Sequence, residues 1–421
     1  MEKRNCSALV LLLMFLTASA LPAQDTALDA LPIGPSPHRL AVACLAAGKA
    51  MDTASGLEVD MAALARRYRG RDVFVIGEYH DSHACHAWQK DFLEALAKEH
   101  PRLVVGFEFF NRDDDPALAL YIDGKITEAE LLQKTGWYKR GSLNFGYTRL
   151  VLDAVKRLGL KAVGLNVPRE LVNRVARKGF AGLSADERAL FPGAERSHPE
   201  HEYFIQSTFG AFAVQVPVWF RNIYAAQKCW DVVMAESMRQ ALARPGFRGF
   251  KGVIIAGSAH VAYGLGIPWR YRLGDRRAGL LTLVPVSVPV GKKEGGEEEN
   301  PMVKALAGQL PSAALFSRGL ADVVFAVAAE EKPYFADAGF GGRMNAAGLY
   351  EVDRVAKDGP AEKAGLRSGD IVLAVDGAPV TSLEGLRLVL AQKNWNDSLM
   401  LEIRKKIVLD STGKDKEISE K

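Results

Sequence analysis

Four short apolar runs, each giving way to a charged or amide side chain, constrain this chain more than any other feature. "VFVIGEYHDSHACH" (Val73–His86) passes from four apolar residues into Glu78 and three histidines. "VVGFEFF" carries Glu108, "VGLNVPR" carries Asn166 and "IIAGSAH" ends on His260. Such runs, separated by longer helical patterns, predict strands at Val73–Ile76, Leu103–Phe107, Ala162–Leu165 and Val253–Ala256. The fold class that follows is α/β, a mostly parallel sheet flanked by helices. "GLLTLVPV" from Gly279 and "ADVVFAV" from Ala321 predict further strands.

In a parallel sheet, ligands gather at the carboxyl edge, where loops and helix N-termini converge. Glu78, His80, Glu108, Asn166 and His260 are therefore expected to share one cleft. Imidazole and carboxylate together suit a transition metal or a proton-transfer site. The structural alternative is that these groups hydrogen-bond to loop backbone and tie the sheet edge together. Gly77 and Gly257 each precede a histidine by three residues and allow the chain to turn sharply off its strand. Asp81 or Ser82 can cap the next helix, which puts His83 in its first turn, facing solvent, and lets His86 approach the site. No HExxH, GxSxG or Walker A pattern occurs.

Composition limits the partners. The 421 residues carry 54 Lys and Arg against 50 Asp and Glu, a net charge of +4. The basic residues form no stripe, so no nucleic-acid binding is expected. Residues 1–23 have the Lys3–Arg4 start, apolar run and Ala18-Ser19-Ala20 exit of a signal peptide, with cleavage expected after Ala20 or Ala23. The expected location is periplasmic or otherwise exported in a bacterium, with membrane association left open. Cys6 and Cys44 flank the apolar run at the wrong distances for a lipid anchor. Cys44, Cys85 and Cys229 show no CxxC spacing and could form one pair at most. "GKKEGGEEENP" from Gly291 predicts a solvated loop, and 409–421 a charged tail.

Residues 48–333 resemble the ChaN family, haem-binding uptake proteins of the Tiki superfamily. The resemblance is carried by "VFVIGEYHD", "VVGFEFFNRDDDPALALYIDGKITEAELLQKTGW", "GYTRLVLDAVKRLGLKAVGLNVPRELV", "AAQKCWDVVMAESM" and "IIAGSAHVAYGLGIPWR". Its two GxxH elements fall on Gly77–His80 and Gly257–His260, its acidic position on Glu108, and further polar positions on Arg149, Asn166 and Arg169. The resemblance implies haem bound at a dimer interface through a tyrosine, with a homodimer as the associated state. Tyr79, Tyr203, Tyr224 and Tyr263 are the candidate ligands, and the aromatic-rich "YFIQSTFGAFAVQVPVWFRNIYAAQKCW" is a candidate wall, bent at Gly210 and Pro217. The related Tiki proteins imply instead a metal-dependent hydrolase, with His80, Glu108 and His260 holding a divalent transition metal and Glu78 as base.

Residues 334–408 resemble a PDZ domain, most specifically in "GPAEKAGLRSGDIVLAVDG". This implies capture of a C-terminal peptide, expected from an envelope protein, with Phe340, Gly341, Gly342 and Arg343 as the carboxylate loop and the Leu383, Leu386, Leu390 helix as the second wall or packed beneath the groove. The combined expectation is an exported haem- or iron-binding protein of bacterial iron acquisition that recruits a partner through its PDZ domain. The alternatives are the hydrolase and a PDZ adaptor whose first domain is inert.

Overall fold

A computed structural model describes residues 26–140, 143–289, 313–330 and 333–405. The signal-peptide segment 1–23, the acidic loop from Gly291 and the tail 409–421 lie outside the described residues. The chain divides into two compact units. One is drawn from Met1–Thr135 and Tyr147–Lys332, the other from Gly136–Gly146 and Pro333–Lys421.

The first unit is built on an eight-stranded sheet. Its strands in chain order are β2 (Ala50–Asp52), β3 (Leu57–Glu58), β4 (Val73–Glu78), β5 (Leu103–Asn111), β6 (Lys161–Asn166), β7 (Lys251–Gly257), β8 (Leu280–Val288) and β10 (Val323–Ala328). Across the sheet they run β3-β2-β10-β8-β4-β7-β5-β6. All neighbours from β10 to β6 are parallel, while β2 and β3 add an antiparallel edge. β1 (Val42–Ala46) and β9 (Ala313–Ser317) pair separately. The central strands read as continuous apolar runs because helices cover both faces, and every residue of β4 is buried. The four predicted strands and the two later ones are all present.

Two helices matter for the site. His83–Glu99 starts at Ser82, whose hydroxyl accepts from the Cys85 N–H. Its inner face carries Cys85, His86, Gln89, Phe92, Leu93 and Leu96. Pro217–Ala243 lies across the core and buries Ile223, Tyr224, Val233, Met234 and Met238. The expected bend is a full break: Gly210 has φ +55°, and Gly210–Gln215 ends before Val216, where Pro217 opens the long helix. Proline is tolerated there because the first helical N–H has no intrahelical partner. Cys44, Cys85 and Cys229 are all free thiols.

The second unit carries β11 (Phe340–Met344), β12 (Tyr350–Val355), β13 (Ile371–Val375), β14 (Ala378–Pro379) and β15 (Leu401–Arg404), with Leu383–Leu390 as its main helix. Tyr350, Val352, Leu366, Val372, Val375 and Leu386 form its core. Phe340–Arg343, expected as a loop, lies in β11 and pairs with β12; the absence of a Cβ at Gly342 permits this close pairing, since one would come 2.2 Å from the Glu351 carbonyl oxygen. Gly136–Gly146 is part of this unit: the Tyr138 carbonyl accepts from Arg387 on the Leu383–Leu390 helix, and the Phe335 ring packs on Gly146.

Candidate functional site

Register brings the strand-end residues together. β4 and β7 pair so that Glu78 sits opposite Gly257. β5 matches β7 as far as Phe107, then slips: Phe107 pairs with Gly164, but the next matched pair is Asn111 with Asn166. Such a bulge re-aims the residues inside it, here Glu108 to Phe110. Glu108 consequently reaches over to β7, where Oε2 accepts the Gly257 N–H at 2.7 Å. Asn166 holds it from the other side by donating to the Glu108 carbonyl at 2.6 Å.

The side chains form a line of alternating acids and imidazoles. Glu78 Oε1 is 2.9 Å from His80 Nδ1, and Glu78 Oε2 is 3.6 Å from His86 Nδ1. The His80 ring lies over Gly257, where a Cβ would be 2.8 Å from its Cε1 and 3.6 Å from Glu108 Oε2. Glu108 Oε1 is 3.6 Å from His260 Nε2, and His260 Nδ1 is 2.6 Å from Asp231 Oδ1. Asp231 Oδ2 faces His201 Nε2 at 3.6 Å.

Electrostatics follow from this order. Burial works against a charged His80 ring, but the bond to Glu78 and the charge of Glu108 outweigh it and push its pKa up to about 9. His260 is raised likewise, burial being overcome by Glu108 and Asp231. Burial would raise Glu78, yet His86 and His80 hold it below the usual carboxylate range. His201 goes the other way: burial brings it down to about 4, and Asp231 does not compensate. The line therefore favours the protonated form of His80 and His260 between their carboxylates and the neutral form of His201.

Of the sequence-predicted residues, Glu78, His80, Glu108, Asn166 and His260 converge. His86 joins them, buried, its Nε2 3.2 Å from the His80 carbonyl. Arg149 makes a two-pronged pair with Glu128, and Arg169 begins the Arg169–Lys178 helix at the surface. Sequence reading missed Asp231, His201, Gln227 and Gln89. Asp231 and Gln227 stand one helical turn apart on Pro217–Ala243, and both reach His260 Nδ1. A polar i, i+4 pair on an otherwise apolar helix face was the available signal. The space left among Glu78, His86, Glu108 and Phe109 is about 10 Å³, room for about one water.

Residues 64–271 match the family described as haem-binding uptake, Tiki superfamily, ChaN, and residues 351–405 match the PDZ domain. The chain carries a ChaN domain followed by a PDZ domain. Against solved structures, it is similar at 15% identity and TM-score 0.47 to the ChaN of Campylobacter jejuni described with cofacial haem, covering 66% of this chain and 95% of that one. An erythromycin esterase, EreC, in its open conformation is similar at 13% identity and TM-score 0.36, over 68% and 97% of the two chains. A Synechocystis sp. protein named as a serine protease, HhoA, is 40% identical over 52 residues, and the match spans 13% of its length.

The candidate tyrosines of the ChaN domain separate clearly. Tyr79 donates its hydroxyl to the Pro285 carbonyl, Tyr263 to Leu28, and Tyr224 to His198. Tyr203 is 51% exposed. Phe212 and Val214 on one helix, Val216 at the break and Val218 on the next helix are exposed, and Trp219 packs edge-on against Phe209 and Phe212.

Proposed function

We propose that the ChaN domain binds haem on the surface formed by Tyr203 and the exposed Phe212–Val218 stretch, as an exported iron-acquisition protein whose PDZ domain takes the C-terminal peptide of an envelope protein. The observation that carries this reading is an exposed tyrosine on the Pro199–Thr208 helix followed in the chain by the exposed Phe212, Val214, Val216 and Val218. Large apolar side chains left exposed in such number mark a candidate binding face, and a tyrosine oxygen is an established type of axial ligand for haem iron. The gap of about 10 Å³ among Glu78, His86, Glu108 and Phe109 does not admit a porphyrin, and in this reading Glu78, His80, Glu108, Asn166 and His260 act as scaffold. Bound haem would supply the iron chemistry; the chain's own residues supply an apolar bed, a phenol oxygen and a rigid helix beneath it. Two copies meeting through this face would cover it, which accords with a homodimer.

Haemin titration of the full chain tests the reading. A Soret band that saturates in the native protein should shift and weaken at least about tenfold in affinity in Tyr203→Phe, and weaken in Val214→Asp. Unchanged binding in both variants would refute it.

One observation favours a second reading, a metal-dependent hydrolase. His80 and His260 each have Nδ1 held by a carboxylate, Glu78 and Asp231, and both rings lie beside Glu108. Carboxylates that orient imidazoles in this way are the usual outer partners of metal-ligating histidines. Among the described residues no three His, Cys, Asp or Glu side chains stand ready to hold an ion, so His80, Glu108 and His260 would have to close by rotation. Stoichiometric divalent metal that is lost in His80→Ala and His260→Ala would establish this reading over the first.

A further inference from the structure

On another part of the first unit, between the Pro217–Ala243 helix and Ile267–Gly274, lies a cleft of about 360 Å³. That is within the size range of small-molecule sites. Val232, Ala235, Tyr271 and Leu273 give it an apolar side. Its charges are unbalanced: Arg196, Arg239 and Arg270 line it with Glu236 as the one carboxylate.

Glu236 is already engaged, accepting from Arg239 Nε at 3.0 Å. Arg270 is the unusual member. It is 6% exposed, and its Nη1 and Nη2 donate to the carbonyls of Gly193 and Arg196 at 2.8 and 2.7 Å. Its Nε has no hydrogen-bond partner, and among the described residues no carboxylate pairs with it. Asp231, the acid nearest in influence, gives its oxygens to His260 and His201 instead. A buried guanidinium without a counter-ion is costly, and guanidinium is suited to planar oxyanions.

We propose that this cleft is a binding site for a small organic oxyanion, a carboxylate or phosphate ester carrying an apolar body about the size of one aromatic ring. The oxyanion answers the charge of Arg196 and Arg270, and the body lies against Val232, Ala235 and Tyr271. Backbone carbonyls fix the plane of Arg270, so little ordering is required on binding.

Isothermal titration of the full-length protein with phenyl phosphate, phenylacetate and neutral benzyl alcohol tests this. Phenyl phosphate, phenylacetate or both should bind, identifying the head group, and benzyl alcohol should bind at least about tenfold more weakly. Arg196→Glu, at the surface, should weaken the bound anion at least about tenfold while leaving the melting temperature unchanged. Ala235→Leu, which fills the cleft, should weaken it through the apolar body. Equal binding of benzyl alcohol, no anion bound below about 10 mM, or anion binding indifferent to both substitutions would each overturn the proposal.

Discussion

Asp231 shows what a single side chain contributes at this site. It has no exposed surface, yet it meets two imidazoles, His260 and His201, with different proton affinities. Asp231→Ala would leave His260 Nδ1 with Gln227 alone and should destabilise the fold by about 1.5–3 kcal/mol, the usual worth of a hydrogen bond to a charged group. Urea denaturation checks this, and a loss below about 0.5 kcal/mol would mean that Asp231 contributes little to holding the two rings. The two pKa shifts also predict pH dependence of opposite sense. His201, depressed from 6.5 to about 4, contributes stability that is full above 6.5 and is lost as pH falls towards 4, by up to about 1.4 kcal/mol per unit. His80, raised to about 9, contributes stability present below 6.5 and lost as pH rises through 9. Denaturation midpoints from pH 4 to 10 should therefore fall on both sides, and His201→Phe should remove the acid-side slope alone. An unchanged acid limb in that variant would show that other groups set it.

At the scale of elements, the decisive feature is how strand ends are terminated. Ser82 caps the helix that carries His86 and Gln89, the latter donating to the Gly77 carbonyl. Ser82→Ala should cost about 0.5–2 kcal/mol and loosen His86, read as faster hydrogen exchange in the first turn of His83–Glu99. Gly257 has the opposite duty, keeping space empty. Gly257→Ala puts a methyl into the His80 ring, so the ring or β7 must move; overpacking of this kind costs about 1–3 kcal/mol. A full-stability Gly257→Ala protein would show that the ring is free to swing away. Much of this was legible in the sequence. Strands ending in His, Glu and Asn pointed to one sheet edge, and Ser82 was a candidate cap. The bulge that turns Glu108 inwards was not legible, because the slip between β5 and β6 depends on the partner strand and leaves no local mark on "VVGFEFF". Nor were Arg149 and Arg169 separable from the convergent residues, since Glu128 lies far from Arg149 in their common pattern.

For the whole molecule, the second unit is discontinuous. Trp137, Tyr138 and Phe145 are buried, and they lie in the Gly136–Gly146 segment that groups with Pro333–Lys421. Deleting Tyr334–Lys421 should thus uncover aromatic surface as well as remove peptide capture. The truncated chain is expected to bind a hydrophobic dye more strongly and to be cut by trypsin at Lys139 or Arg140, while retaining haem at Tyr203. Protection of those sites in the truncated chain would show that the segment packs independently of the PDZ residues. The sequence by itself determined the parallel α/β sheet, the PDZ strands and the set of polar strand ends, because apolar periodicity and short motifs are local and survive in one dimension. The tertiary structure alone decided that Asp231 and His201 extend that set, that Tyr203 is the one of the four candidate tyrosines left exposed, and that Arg270 is buried without a counter-ion among the described residues. Those facts depend on which faces of distant helices meet the sheet, and burial and charge pairing arise only when the chain has closed on itself.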